Sequence, residues 1–312
     1  MNLDVKTLFD TLLGMFIPMI VGVIAAKCGV ITSDFSKRLS NFVLNIAQPF
    51  LIVASIVGME YSSSLLKLGF TVILVGVIVH GIAAAIAFLS TCKIKDEKAR
   101  RVMECCTIFS NCGFFGFPLL KAIYGDVGVF MGGFYMTIFN LTMWSYGVFI
   151  LSRGNKEERI KWRRLFINGG TIPCAIGLVL YLLRVPVYPA IQTSMQAIGN
   201  TCTPLSMFVI GGMIANMKLG TLLLSPLPYY SSLVKQVLLP ILTALALRFL
   251  GFDGQLVVFG ALMIALPIAA ANAMFAETYD VRPDLAAQTV GISTLLSLLT
   301  IPLVMQLVRL LV

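Results

Sequence analysis

The chain has 312 residues, 58% of them hydrophobic and 12% charged, with mean hydropathy +0.94 and formal net charge +9. A soluble domain carries roughly 25% charged residues, so a soluble enzyme or binding module is excluded. Nor does the positive charge point to nucleic acid, because the basic residues cluster in short loops beside apolar runs.

Apolar segments of about 20 residues, the length that crosses a hydrocarbon core of about 30 Å, recur along the chain. They predict an all-α polytopic membrane protein with ten transmembrane helices, at about 7–27, 39–59, 66–91, 103–123, 127–151, 165–184, 189–217, 227–250, 256–277 and 284–311. The N-terminal MNLDVKTLFD lacks a basic n-region and no small-residue cleavage site follows it, so the first helix is expected to stay. Seven cysteines, without CxxC spacing and mostly inside apolar segments, read as small packing residues. A metal site would need other ligands beside them, and His80 is the one histidine. No metal or cofactor is expected.

Lysine and arginine in the loops set the orientation. Sixteen fall in the odd-numbered loops and six on the opposite side, termini included, while Lys235 lies within a span. Both termini are therefore expected outside the cytoplasm, in a cell membrane crossed many times. The KIKDEKARR run and the central RGNKEERIKWRR run then read as solvated topology determinants near anionic lipid.

The two halves share a register. Ile17-Pro18-x-x-x-Gly22 in the first span matches Ile172-Pro173-x-x-x-Gly177 in the sixth, 155 residues on. Asn45-x-x-x-Pro49 matches Asn200-x-x-x-Pro204 at the same offset, as Tyr124 matches Tyr279. Five spans per half, an odd number, turn the second half upside down relative to the first. The organisation read is a first five-helix repeat at 1–152, a basic linker at 153–164 and a second, inverted five-helix repeat at 165–312. Inverted repeats are a mark of secondary transporters.

Within the fourth span, SNCGFFGFPLLK gathers Asn111, Gly113, Gly116 and Pro118. Glycine and proline are poor helix formers. At the 155 offset the ninth span reads LPIAAANA, with Pro267 and Asn272. Both spans thus hold a breaker and an asparagine near mid-membrane. Unpaired backbone there is unfavourable unless it lines an enclosed or wet cavity. Broken helices at matching places in inverted repeats point to a transport site, and half-helix N-termini suit an anion. Close helix packing through small residues is the bland alternative.

At these residues the chain resembles the auxin efflux carrier family of transporters. SNCGFFGFPLLKAIYG is similar to the family's fourth helix and NTCTPLSMFVIGGMIA to its seventh. ALPIAAANAMFAETYDV and STLLSLLTIPLV are similar to its ninth and tenth helices. The resemblance runs along nearly the whole chain and is that of a compact, bacterial-type member, without the long hydrophilic loop of the long plant forms. It implies a scaffold of helices 1, 2, 6 and 7, often a homodimer interface, and a transport unit of helices 3–5 and 8–10. Helices 4 and 9 would cross at their breaks, bind a substrate carboxylate and move elevator-fashion. By motif match Asn111 contacts substrate, with Pro118 at one break and Pro267 at the other. Asn168 resembles a further polar position near substrate, although Gly169 stands where the family often has proline.

His80 and Lys235 lie within spans, again 155 residues apart. Ionisable groups in a membrane are functional candidates by default. Lys235 would attract an anion and His80 exchange a proton, unless Lys235 snorkels and His80 bonds a neighbouring carbonyl. Asn45, Gln48, Pro49, Asn200, Thr203 and Pro204 would line the scaffold face, as substrate contacts or as structural hydrogen bonds. Glu60, Glu104, Asp126, Glu277 and Asp280 all fall near span ends, so no carboxylate is expected at mid-membrane. The resulting expectation is a uniporter that exports a small organic anion, with an ion-coupled carrier of the bile-acid-symporter type as the alternative. An intramembrane enzyme would need a metal cluster or an acid/base pair at depth, so no enzyme is expected.

Overall fold

The computed structural model describes residues 5–153, 171–215 and 225–312. The described residues form helices: α1 (Val5–Lys27), α2 (Ser33–Val57), α3 (Ser63–Thr91), α4 (Glu97–Ile108) and α5 (Cys112–Ser152). They continue with α6 (Thr171–Leu182), α7 (Pro189–Ala215), α8 (Pro226–Phe249), α9 (Gly254–Ala265), α10 (Ala270–Thr278) and α11 (Pro283–Leu311). Among the described residues seven helices, α1, α2, α3, α5, α7, α8 and α11, are long and apolar enough to cross a membrane, and α6 and α9 are shorter apolar helices. No strand of a sheet occurs among them. The central run 153–164, apart from Arg153, and the candidate Asn168 lie outside the described residues.

The 41 residues of α5 would make about 60 Å of helix, twice a hydrocarbon core. The chain in fact turns sharply at Gly125, whose φ of 63° and ψ of −143° are those glycine adopts without strain. In α4 the polar run at 93–101, expected in a loop, is partly helical. Asp96 caps it by accepting from Ala99 N at 3.2 Å, so the helix begins at Glu97.

Proline shapes three of these helices without breaking them. Five-residue π-helical stretches at Val43–Ala47, Cys112–Gly116 and Val234–Leu238 end two residues before Pro49, Pro118 and Pro240. Proline offers no N–H to the carbonyl four residues back and its ring crowds that carbonyl, so the helix widens locally. In α8 the wide turn brings two consecutive side chains, Lys235 and Gln236, into the interior, both 0% exposed. A fourth stretch, Met143–Gly147, has no such proline.

Glycines set the closest crossings. A Cβ on Gly211 of α7 would stand 2.2 Å from Met19 O of α1, and one on Gly22 2.9 Å from Phe208 Cα. Gly177 of α6 lies against the Ile56 side chain of α2, where a Cβ would stand 3.0 Å from Cδ1. Gly22 and Gly177 are 155 residues apart, and so are the residues they meet, Ile56 and Gly211.

Polar contacts tie the helix ends. Arg282 Nη1 donates to Asp96 Oδ2 (2.9 Å) and Lys98 Nζ to Asp280 O (3.1 Å), joining the α3–α4 and α10–α11 loops. Tyr181 Oη accepts from Ser62 N (2.6 Å) and donates to Glu60 O (3.1 Å), joining the end of α6 to the α2–α3 loop. Arg248 donates to the carbonyl of Val312.

Candidate functional site

Helix α4 stops at Ile108 because Phe109 is extended (φ −97°, ψ 116°). Helix α9 stops at Ala265, followed by extended Leu266 (φ −54°, ψ 151°) and Ala269 (φ −61°, ψ 130°). Short interruptions therefore sit between α4 and α5 and between α9 and α10, and they meet. Ser110 and Ile268 form an antiparallel bridge, with Asn111 N donating to Pro267 O (2.8 Å) and Ala269 N to Phe109 O (3.0 Å). Phe109 and Ile268 are 0% exposed, so each break supplies the partners that water cannot. The observed break lies ahead of the glycines of the SNCGFFGFP motif. Pro267 sits in a break, as expected. Pro118 does not: it follows the π stretch, seven residues into α5.

Side chains satisfy what the bridge leaves open. Lys235 Nζ donates to Ile108 O (3.2 Å) and Ser110 Oγ (2.7 Å). Ile268 N donates to Ser293 Oγ of α11 (3.0 Å), and Gln236 Nε2 to Ser293 O (2.8 Å). Asn111 Oδ1 caps α5 by accepting from Phe114 N (3.2 Å). Asn272 Nδ2 reaches Phe109 O at 3.4 Å.

Each asparagine therefore has one amide atom engaged and one without a partner. Asn111 Nδ2 and Asn272 Oδ1 are buried and unpaired, as is Gln48 Oε1 of α2. Gln48 comes close because Gly113 has no side chain: a Cβ there would stand 3.3 Å from Gln48 Oε1. Gly116 is pressed against the other break, 3.0 Å from Leu266 Cδ1 by the same measure. The first turns of α5 and α10 also begin here, each with the positive end of its helix dipole, while Cys112 N, Phe114 N and Phe115 N already donate to Ser110 O, Asn111 Oδ1 and Asn111 O. An unpaired amide donor between two helix N-termini can hold an anion.

Asn111, Gly113, Gly116, Pro267, Asn272, Lys235 and Gln48 are thus gathered at the breaks. His80 borders them from α3: its Nδ1 bonds Gly76 O (2.8 Å), while its ring packs on Tyr135, Phe139 and Phe109. Asn45, Asn200 and Pro204 are exposed, and Asn45 Nδ2 donates back to Asn41 O at 2.8 Å. That bond is local, within one helical turn. Pro49 and Thr203 are half-buried.

Two expectations need correction. The 155 register does not run through the breaks. The capping residues Asp96 and Asp253 are 157 residues apart and the bridged residues Ser110 and Ile268 are 158 apart. Asn111 therefore faces Ala269, and Asn272 lies a turn further on. Glu104 is also deeper than a span end. It lies one helical turn before the break at 1% exposure, against Tyr146 Oη (3.3 Å) and Arg153 Nη1 (3.4 Å). Ser110, Ser293 and Gln236 carry no sequence motif that marks them as part of the site.

Residues 7–305 match the membrane transport protein family. The chain belongs to this family, that of the auxin efflux carriers. It is a multi-pass membrane protein of a transporter family. It is 25% identical over 299 residues to an uncharacterized transporter of Methanothermobacter thermautotrophicus, covering 94% of this chain and 96% of the relative. It is 26% identical over 212 residues to an uncharacterized transporter of Methanocaldococcus jannaschii, covering 65% and 67% of the two chains. In this auxin efflux carrier family member, all seven cysteines are free thiols, five of them buried.

Proposed function

We propose that this chain is a secondary carrier of small organic anions, binding a carboxylate at the paired breaks and exporting it by elevator-type alternating access. The observation that carries the proposal is the bridge at Ser110 and Ile268, with Asn111 Nδ2 unpaired beside the first turn of α5. A carboxylate takes a hydrogen bond from that amide and is favoured by the positive end of the α5 dipole. Asn272 Oδ1, an acceptor, suits an N–H or O–H elsewhere on the same substrate.

The architecture proposed is ten spans in two inverted repeats, with α4 plus the start of α5 as the fourth span and α9 plus α10 as the ninth. The glycine contacts of α1 on α7 and of α6 on α2, related by the 155 offset, support it. So do the loop contacts: Arg282–Asp96, Tyr181–Ser62 and Arg248–Val312 each join ends that ten crossings place on one side of the membrane. Both termini are assigned outside the cytoplasm of a plasma or inner membrane. Helices α1, α2, α6 and α7 would form the scaffold and dimer face, where Asn45 and Asn200 are exposed. Asn168 stays a candidate of the same site.

Uniport follows from the polar inventory. Among the described residues the buried carboxylate near the site is Glu104, and it is already paired with Arg153. A cell interior near −100 mV then favours anion exit by about 2.3 kcal/mol per charge. Counterflow of labelled malate, malonate and indole-3-acetate in proteoliposomes tests the proposal. Saturable exchange independent of sodium is expected. Strict dependence on a sodium gradient would replace uniport with ion coupling, and flux without saturation or counterflow would indicate a channel.

A further inference from the structure

We infer that Lys235 is a counter-cation built into the moving unit, so that a bound monoanion crosses as a neutral pair and the empty unit crosses with one positive charge. This rests on the carrier reading above and adds to it the step on which the membrane potential acts. Lys235 is 0% exposed within α8, and its Nζ is fastened to Ile108 O and Ser110 Oγ, the residue before Asn111. The charge is therefore tied to the break that would hold substrate. An ammonium has three N–H donors, and among the described residues these two acceptors are its only hydrogen-bond partners. No carboxylate pairs with it there.

Glu104, on the same helix as Ile108, turns onto Tyr146 and is neutralised by Arg153. The titratable groups facing Lys235 are Cys106 on α4, Cys112 on α5 and His80 on α3, none of them a carboxylate. A buried ammonium without a counter-ion is unfavourable, and an anion at the neighbouring first turn of α5 would complete its surroundings. With a negative interior, the field then drives the empty unit inward and leaves the loaded monoanion form unaffected.

The test is substrate-free charge movement. The protein is reconstituted at high density, voltage steps are applied with no organic anion present, and the transient displacement current is integrated. Wild type is expected to show a saturating charge, retained in His80→Gln and at least tenfold smaller in Lys235→Met. Lys235→Gln takes the place of the methionine variant if that one elutes aggregated. Absence of the transient in wild type, or its persistence in the lysine variants, overturns the inference. So does its loss in His80→Gln. Counterflow on the same vesicles separates the two levels. Charge movement with no counterflow of malate, malonate or indole-3-acetate sinks the carrier assignment and leaves Lys235 as the moving charge. Counterflow without charge movement sinks only the inference.

Discussion

Replacing Ser293 by alanine removes a side chain that ties the second break to α11. Ser293 Oγ accepts from Ile268 N at 3.0 Å and itself donates to Val290 O. Ile268 is fully buried, so in the variant its N–H is left without a partner. An orphaned buried donor costs about 1–3 kcal/mol. At roughly 2–4 °C per kcal/mol for chains of a few hundred residues, melting should fall by several degrees. The neighbouring Thr294 supplies the control. It is equally buried, but its hydroxyl only bonds back to Val290 O (2.8 Å) within its own helix, so Thr294→Val leaves no N–H of the break unpaired and should cost less than Ser293→Ala. Five buried cysteines make a thiol-reactive fluorogenic dye a direct reporter of unfolding in detergent. Ser293→Thr keeps the acceptor and should recover most of the loss. If Ser293→Ala melted with Thr294→Val, the hydrogen bond to the break would not be holding it, and the bridge would owe its stability to something else.

The α1–α7 crossing gives a second contrast in the same melt. Gly211→Val places atoms into the backbone of Met19 and Val23 and should be strongly destabilising, whereas Gly14→Val, with nothing within 4 Å of its added Cβ, should be tolerated. The exposed native thiols test orientation without any substitution. Cys28 and Cys92 lie in loops assigned to the cytoplasm, so a membrane-impermeant maleimide should label neither in intact cells and both after permeabilisation. Labelling in intact cells would reverse the orientation.

Much of this was legible in the sequence, and the misses have physical causes. Apolar run length marked the seven helices long enough to cross a membrane, and glycine, proline and asparagine marked the neighbourhood of the two breaks. The exact break was not legible from its motif. Pro118 only widens a helix, while the actual interruption at Phe109–Asn111 contains no breaker and is extended because Pro267 O and Ala269 N pair with it. Such a bridge depends on residues 158 apart, which no local pattern reports. Repeat arithmetic failed there because the offset has already grown to 157 at the caps of α4 and α9, and the second break adds one residue more. Three residues separate α4 from α5 and four separate α9 from α10. Ser110, Ser293 and Gln236 were hidden because serine is common in membrane helices, and because Gln236 turns inward only through the wide turn before Pro240. Asn45 and Asn200, matched by repeat, are exposed.

The most direct test of the organic-anion site is counterflow of a transported carboxylate by Asn111→Ala, set beside Asn272→Ala and Asn45→Ala in the same proteoliposomes. Each protein is first checked for monodispersity. Removing the unpaired amide at the breaks should reduce exchange at least tenfold, roughly the 1.5–3 kcal/mol of a hydrogen bond to a charged group, with Asn45→Ala unchanged. Full exchange by a well-folded Asn111→Ala would contradict the assignment of the paired breaks as the site.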